Sequence, residues 1–137
     1  MSRASPRPPT PAELEILRVL WSRGPSTVRE VHEELQRHRE SGYTTVLKLL
    51  QIMVEKGHVE RIEGCRPQVY RARRSRLQTQ RQFLRDLSER LFAGSAGQLA
   101  MQALSLEPAS PEEIEEIRAL LDAMEERHAR KGGERRR

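Results

Sequence analysis

Thr10-Pro11-Ala12-Glu13, Thr27-Val28-Arg29-Glu30 and Ser110-Pro111-Glu112-Glu113 share one pattern: a hydroxyl residue followed three places later by a glutamate. This is the capping box, in which the hydroxyl and the carboxylate each accept from an otherwise unpaired backbone N–H at a helix start. Proline at the first helical position of two of the boxes reinforces the signal. Ser75-Arg76-Leu77-Gln78 opens a further helix. A chain marked in this way has little choice but to be mostly helical. Leu14, Leu17, Leu20 and Trp21 give the first helix an inward stripe, and Gly24-Pro25 ends it. Val28, Val31, His32 and Leu35 do the same for a short second helix, broken at "HRESG". The third helix, 44–56, carries Val46, Leu49, Leu50 and Met53 at i, i+3, i+4 and i+7, and Gly57 stops it.

One window escapes this pattern. "HVERIE" and "PQVYRAR" flank the tight turn Glu63-Gly64-Cys65-Arg66 and predict a β-hairpin, with Tyr70 on one face beside Gln68 and Ala72. Three helices followed by a hairpin within 10–74 is the order of a winged helix-turn-helix. A unit of that size buries little surface and needs support from the rest of the chain. The back half predicts three more helices. Leu84, Leu87 and Leu91 point inward on the first, "AGSAG" breaks it, and Leu99 and Leu104 anchor a short helix over 98–105. Ile114, Ile117, Leu121 and Met124 then follow at 3-4-3 spacing, a coiled-coil-like seam. Helices with such narrow seams have no compact core of their own and call for a partner, most simply a second copy. The expected fold class is therefore mainly α with a small β-hairpin wing: an N-terminal winged helix-turn-helix plus a C-terminal three-helix dimerisation arm. The expected division is a flexible basic tail over 1–9, a winged-helix domain over 10–74, a dimerisation domain over 75–130 and a disordered tail over 131–137. Dimerisation is assigned to Leu84, Leu87, Leu91, Ile114, Ile117, Leu121 and Met124.

Composition narrows the function classes. No run of eighteen apolar residues and no signal-peptide pattern occurs, so a cytoplasmic protein without membrane insertion is expected. The single cysteine, Cys65, excludes an internal disulfide framework and a cysteine-built zinc site. His38, His58 and His128 lack ligand-like spacing, and His32 sits on a packed stripe. There is no nucleophile–base constellation, no Gly-rich phosphate loop and no paired-carboxylate cleft; no enzymatic activity, metal or cofactor is expected. The placement of charge is more telling. Residues 1–74 hold 14 Lys+Arg against 9 Asp+Glu, whereas 75–137 hold 11 of each. The whole positive excess lies in the front half, as suits a unit that meets a polyanion.

The third helix shows where that meeting would occur. Its outer ridge reads Thr44, Thr45, Lys48, Gln51 and Glu55, where a solvated helix face would favour straight-chain charged residues over threonine. In a helix-turn-helix the second helix enters the major groove, and its N-terminal residues face base edges. Threonine hydroxyls can bond bases or phosphates, Lys48 can reach guanine or a phosphate, and Gln51 can pair with adenine. Tyr43 lies at the head of this ridge. Ser26, Thr27 and Arg29, at the start of the second helix, are placed to grip the backbone. Arg66, in the wing turn, is placed on phosphate or in the minor groove. Two other readings remain open here: a winged-helix regulator released by a small ligand or by oxidation at Cys65, and a protein–protein adaptor.

The run "LEILRVLWSRGPSTVREVHEELQRHRESGYTTVLKLLQIMVEKGHVERIEGCRPQVYRA" closely resembles the penicillinase-repressor family, the BlaI/MecI/CopY type of bacterial transcriptional regulator. The matches are Leu14 to Trp21, Thr27 to Glu33, Tyr43 to Val46, Lys56-Gly57 and Val69 to Arg71. "SPEEIEEIRALL" matches more loosely, and together the similarity covers 11–125. The resemblance implies a homodimeric winged-helix repressor on a palindromic DNA operator, with a role in antibiotic-resistance regulation. It also implies a membrane-bound sensor metalloprotease, whose signal leads to cleavage of the repressor. By that likeness the cleavable segment falls in "LAMQALSLE", with Met101, Gln102, Ala103 and Leu104 as the candidate residues, just before the proline-containing break at 108–111. Three departures stand out. Many relatives carry a base where this chain has Ile52, and the best-known ones have an asparagine–phenylalanine bond where this chain has Gln102-Ala103. No cysteine pair follows Cys65, unlike in the copper-responsive relatives.

Overall fold

The computed structural model describes residues 7–38 and 40–135. The basic tail expected over 1–9 lies outside the described residues as far as Pro6, as do the last two residues of the expected C-terminal tail. The chain forms two compact units, Met1–Asp86 and Leu87–Arg137.

In the first unit, α1 (Pro11–Arg23) starts at the Thr10 capping box. The Glu13 N–H donates to Thr10 Oγ1 at 3.2 Å, and the Thr10 N–H donates to Glu13 Oε1 at 2.8 Å. α2 (Val28–Gln36) starts at the Thr27 box in the same way. α3 (Tyr43–Lys56) follows a short turn and ends at Gly57, whose φ of 82° is the left-handed conformation that glycine adopts without a Cβ penalty. The chain then forms β2 (Val59–Ile62) and β3 (Val69–Ala72), antiparallel, with Arg61 opposite Tyr70 and Ile62 opposite Val69.

The buried core belongs to this unit. Ile16, Leu17, Val19 and Leu20 of α1 meet Val28, Val31 and Leu35 of α2, Val46, Leu50 and Met53 of α3, and Val59 and Tyr70 of the sheet. Ile16, Val31, Val46, Leu50 and Met53 have no exposed surface at all, so truncating Leu50 to alanine should cost about 2–5 kcal/mol. The α1 stripe is rotated from the expected one. Leu14 and Trp21 lie at its edge, half-buried, while Ile16 and Val19 join Leu17 and Leu20 on the buried face. α1 is covered from more than one side, so its buried arc is wider than a leucine stripe suggests.

A third strand was not expected. β1 (Ser26–Thr27) pairs with the far edge of β3, Ser26 opposite Tyr70 and Thr27 opposite Val69, so the sheet order is β1-β3-β2. Two residues are too few to show a period, and this strand exists only because the turn after α1 lays them along β3.

α4 (Arg76–Leu91) begins at the Ser75–Gln78 box, with reciprocal bonds of 2.8 and 3.1 Å. Its first turns belong to the first unit. There the Trp21 Nε1–H donates to the Arg74 carbonyl at 2.9 Å, and the Arg76 guanidinium lies over the indole at 5.7 Å. In the second unit, Ala93 and Gly94 take positive φ at the "AGSAG" break. Ser95 caps α5 (Ala96–Leu106), and the Ser110 box opens α6 (Pro111–Arg135). No apolar side chain among the described residues of this unit is buried. Leu84, Leu87 and Leu91, expected to point inward, are exposed in the single chain. α6 also continues to Arg135, past residue 131 where the disordered end was expected. Arg130 and Lys131 near its end complement the negative pole of the helix.

Candidate nucleic-acid interface

α3 has two unlike sides. Val46, Leu50 and Met53 are fixed in the core, which leaves Thr44, Thr45, Lys48 and Gln51 exposed on the outer ridge, with Tyr43 at its head. The ridge is therefore held by packing from behind, and its direction does not depend on its own contacts. Gly42 caps the helix without a side-chain bond, so the first-turn N–H groups keep no capping oxygen.

The turn leading into the ridge is tied from α2. The Ser41 carbonyl receives the His32 ring nitrogen Nε2 at 2.6 Å and the Gln36 side-chain amide at 2.7 Å. The same amide lies 2.8 Å from His32 Nε2. One imidazole nitrogen cannot donate to the carbonyl and accept from the amide at once, so both groups are read as donors to Ser41. The His32 ring also meets the Tyr43 ring edge-to-face, with centroids 5.8 Å apart. His32 is half-buried in a positioning role, in keeping with its place on the α2 stripe.

The other candidates divide. Arg29 is well exposed and reaches Glu33 at 3.3 Å, an i,i+4 pair that a phosphate can displace. Arg66 is exposed in the six-residue wing turn. Thr27 is half-buried, and its hydroxyl already caps α2 by accepting from the Glu30 N–H. Ser26 is the correction: its side chain is wholly buried, and its hydroxyl donates to the Gly24 carbonyl at 2.8 Å. Pairing with β3 pulls it under the sheet, so its side chain is not offered to a backbone phosphate. Cys65 is a free, half-buried thiol in the wing turn.

Glu13 and Lys56 form a feature that sequence reasoning missed. The Glu13 carboxylate is buried, and Lys56 Nζ sits 3.0 and 3.1 Å from its two oxygens. Burial opposes the charge. The Thr10 backbone bond, the Lys56 bond and the nearby positive charges outweigh it and hold the carboxyl below its ordinary range. The pair ties the first turn of α1 to the last turn of α3, so it sets the tilt of the ridge-bearing helix. A signal was available: Glu13 lies four and seven residues before Leu17 and Leu20, on the buried face. His58, just beyond, is also buried; desolvation pushes its ring below the ordinary histidine range, Glu13 and a hydrogen bond to the Arg7 backbone raise it, and Lys56 and Arg74 lower it further.

No group of three or more potential metal-ligating side chains occurs among the described residues, and none of their helices is long and apolar enough to cross a membrane.

The chain is similar to the protein named transcriptional regulator BlaI in two strains of Mycobacterium tuberculosis, at 42% identity over 59 residues. The match covers 42% of this chain and spans only 43% of the length of those relatives. The sequence profile of the penicillinase repressor family matches residues 9–123, most of the chain. The protein thus belongs to the penicillinase repressor family.

Proposed function

We propose that this protein is a non-enzymatic transcriptional repressor that binds double-stranded DNA as a homodimer, with α3 as the reading helix. The observation that carries the reading is the α3 ridge. Its inner side is locked in the core, and its outer side presents Thr44, Thr45, Lys48 and Gln51 rather than the Glu–Lys pairs of a solvated face. Arg29 and Arg66 add phosphate contacts on either side of it. The positive excess of the first 74 residues supplies the long-range attraction.

The second unit is proposed as the dimerisation arm. Leu87, Leu91, Ile114, Leu121 and Met124 are exposed in the single chain, and an apolar surface of that kind is characteristic of helices awaiting a partner. Ile117, half-buried, completes the α6 seam, and Leu84 extends the apolar series on α4. Two reading helices would then address half-sites about 34 Å apart, one turn of DNA, or a multiple of it.

Release is proposed to follow proteolysis in α5 after signalling from a membrane-bound sensor metalloprotease. Met101, Gln102, Ala103 and Leu104 are all exposed on a helix that buries no residue and ends at Leu106. Local opening there costs little, and a cut would detach α6 from the rest. Mass spectrometry of the protein from induced cells should find a cut between Met101 and Leu104. An intact chain that has left its operator would refute proteolytic release.

The central claim is tested by electrophoretic mobility shift on operator DNA across a salt series. Phosphate contacts require affinity to fall steeply and linearly on a log–log scale. An affinity indifferent to salt would favour a protein-docking adaptor instead.

A further inference from the structure

Ile52 is an apolar residue on the polar side of α3. At about 100° of turn per residue, it stands roughly 40° from Lys48 and roughly 20° from Thr45 around the helix axis. From the core residues Met53, Val46 and Leu50 it is turned away by roughly 100°, 120° and 160°. Thr45, Lys48 and Ile52 therefore share one line at i, i+3 and i+7 on the outer face. Packing agrees with this placement. Leu47, Leu49 and Val54, the other half-buried apolar residues of α3, pack against the core, and among the described residues Ile52 does not join them. It is half-buried and keeps open surface.

A single apolar residue at a protein surface is ordinary. What gives this one a role is its place in line with two side chains read as DNA contacts. Isoleucine offers no hydrogen bond, so among hydroxyl, ammonium and amide groups it can recognise only an apolar feature. The major-groove edges of the base pairs carry one such group, the C5-methyl of thymine, which cytosine lacks. The β-branched side chain has one strongly preferred χ1 rotamer in a helix. Meeting a methyl group therefore costs it little rotamer freedom.

We infer that Ile52 is a specificity-determining residue that recognises a thymine methyl in each half-site, an inference that rests on the assignment of α3 as the reading helix. It adds an apolar contact to the hydrogen-bonding contacts of Thr45, Lys48 and Gln51, and it selects thymine over cytosine at one position. Thr45 and Ile52 are seven residues apart, about 10 Å along the helix, or about three base-pair steps of DNA. The thymine thus lies on the far side of the Lys48 contact from the base that Thr45 meets.

The test uses the full chain and a DNA duplex that the chain itself selects from a random-sequence pool. Each thymine is replaced in turn by uracil, which pairs identically and lacks only the methyl group. At one thymine per half-site the replacement should weaken binding about fourfold, the worth of one buried methyl. Ile52→Ala should bind the thymine and uracil forms of that position equally. Ile52→Val, a smaller truncation, should reduce the difference part-way and serves if the alanine variant folds poorly. A uracil scan without effect on a duplex that is still bound sequence-specifically would overturn the inference and leave the reading helix standing. So would a methyl effect that both variants retain in full. Failure to select any duplex would instead remove the DNA-binding reading, and this inference with it.

Discussion

Replacing Lys56 with methionine tests whether the buried ion pair governs the first unit. Methionine keeps most of the side-chain volume and removes the charge. Glu13 would then keep its bond from the Thr10 N–H but lose both contacts to Nζ, at 3.0 and 3.1 Å. Removing one partner of a fully buried pair costs about 3–5 kcal/mol. Here the Lys56 side chain is 23% exposed, so water can enter and part of the loss is recovered. The expected destabilisation is about 2–3 kcal/mol, which for a unit of this size lowers the melting midpoint by roughly 10–20 °C. Trp21, the single tryptophan, bonds to Arg74 within the first unit, so its fluorescence reports that unit's unfolding. Acidification provides a second check. The Glu13 carboxyl is held below the ordinary carboxylate range, so the pair's stabilisation is complete above that range and is lost as pH falls through the lower folded value. The gap between wild type and variant should therefore close at low pH. A variant within 0.5 kcal/mol of wild type at neutral pH (an approximate margin for an inert surface change) would refute the reasoning. A gap that persists unchanged in acid would refute it too.

Other consequences can be measured independently. Thr45→Ala or Gln51→Ala should relax base preference, each lost contact being worth about 1–3 kcal/mol, whereas Lys48→Ala should weaken all sequences alike and reduce the salt slope by about one if it holds a phosphate; unchanged binding at all three would remove α3 as the reading helix. Ile114→Glu with Leu121→Glu should convert the protein to a monomer in sedimentation, and a persistent dimer would place the dimer contact elsewhere. His58 has a lowered pKa because burial disfavours its charge, so its contribution is complete above the unfolded value of about 6.5 and declines as pH falls below it. His58→Leu should flatten the melting midpoint between about pH 7 and 5, and an unchanged slope would show that the ring does not titrate in that window.

Local signals with a strong chemical grammar were legible in the sequence. The capping boxes at Thr10, Thr27 and Ser110 stand where they were read, and α3 starts within a residue of its expected position because its apolar spacing and Gly57 leave no alternative. Features made by distant pairing were not legible. β1 depends on a strand more than forty residues later. The burial of Ser26 follows from that pairing, so a residue that looked like a backbone grip became part of the scaffold. Glu13 read as a cap alone, since nothing local reveals that Lys56 will arrive beside it. The ridge of Thr44, Thr45, Lys48 and Gln51 was legible because it lies within one helix, whereas the His32–Ser41–Gln36 tie that aims it spans two.

β3 is the middle strand of its sheet, and that changes what kind of object the wing is. A hairpin hinged only at its base could swing as a free flap. Here Tyr70 is anchored in the core, and β3 is clasped by β2 on one side and by Ser26 and Thr27 on the other. Thr27 is at once the last residue of that outer strand and the cap of α2. A push on the sheet therefore arrives at the start of α2 within a single residue, with no slack between them. Freedom is confined to the tip, residues 63–68. The wing should behave as a stiff bracket with a soft fingertip: lengthening the tip should be tolerated, whereas a single-residue insertion between Gly24 and Thr27 should disturb the sheet and the helix together.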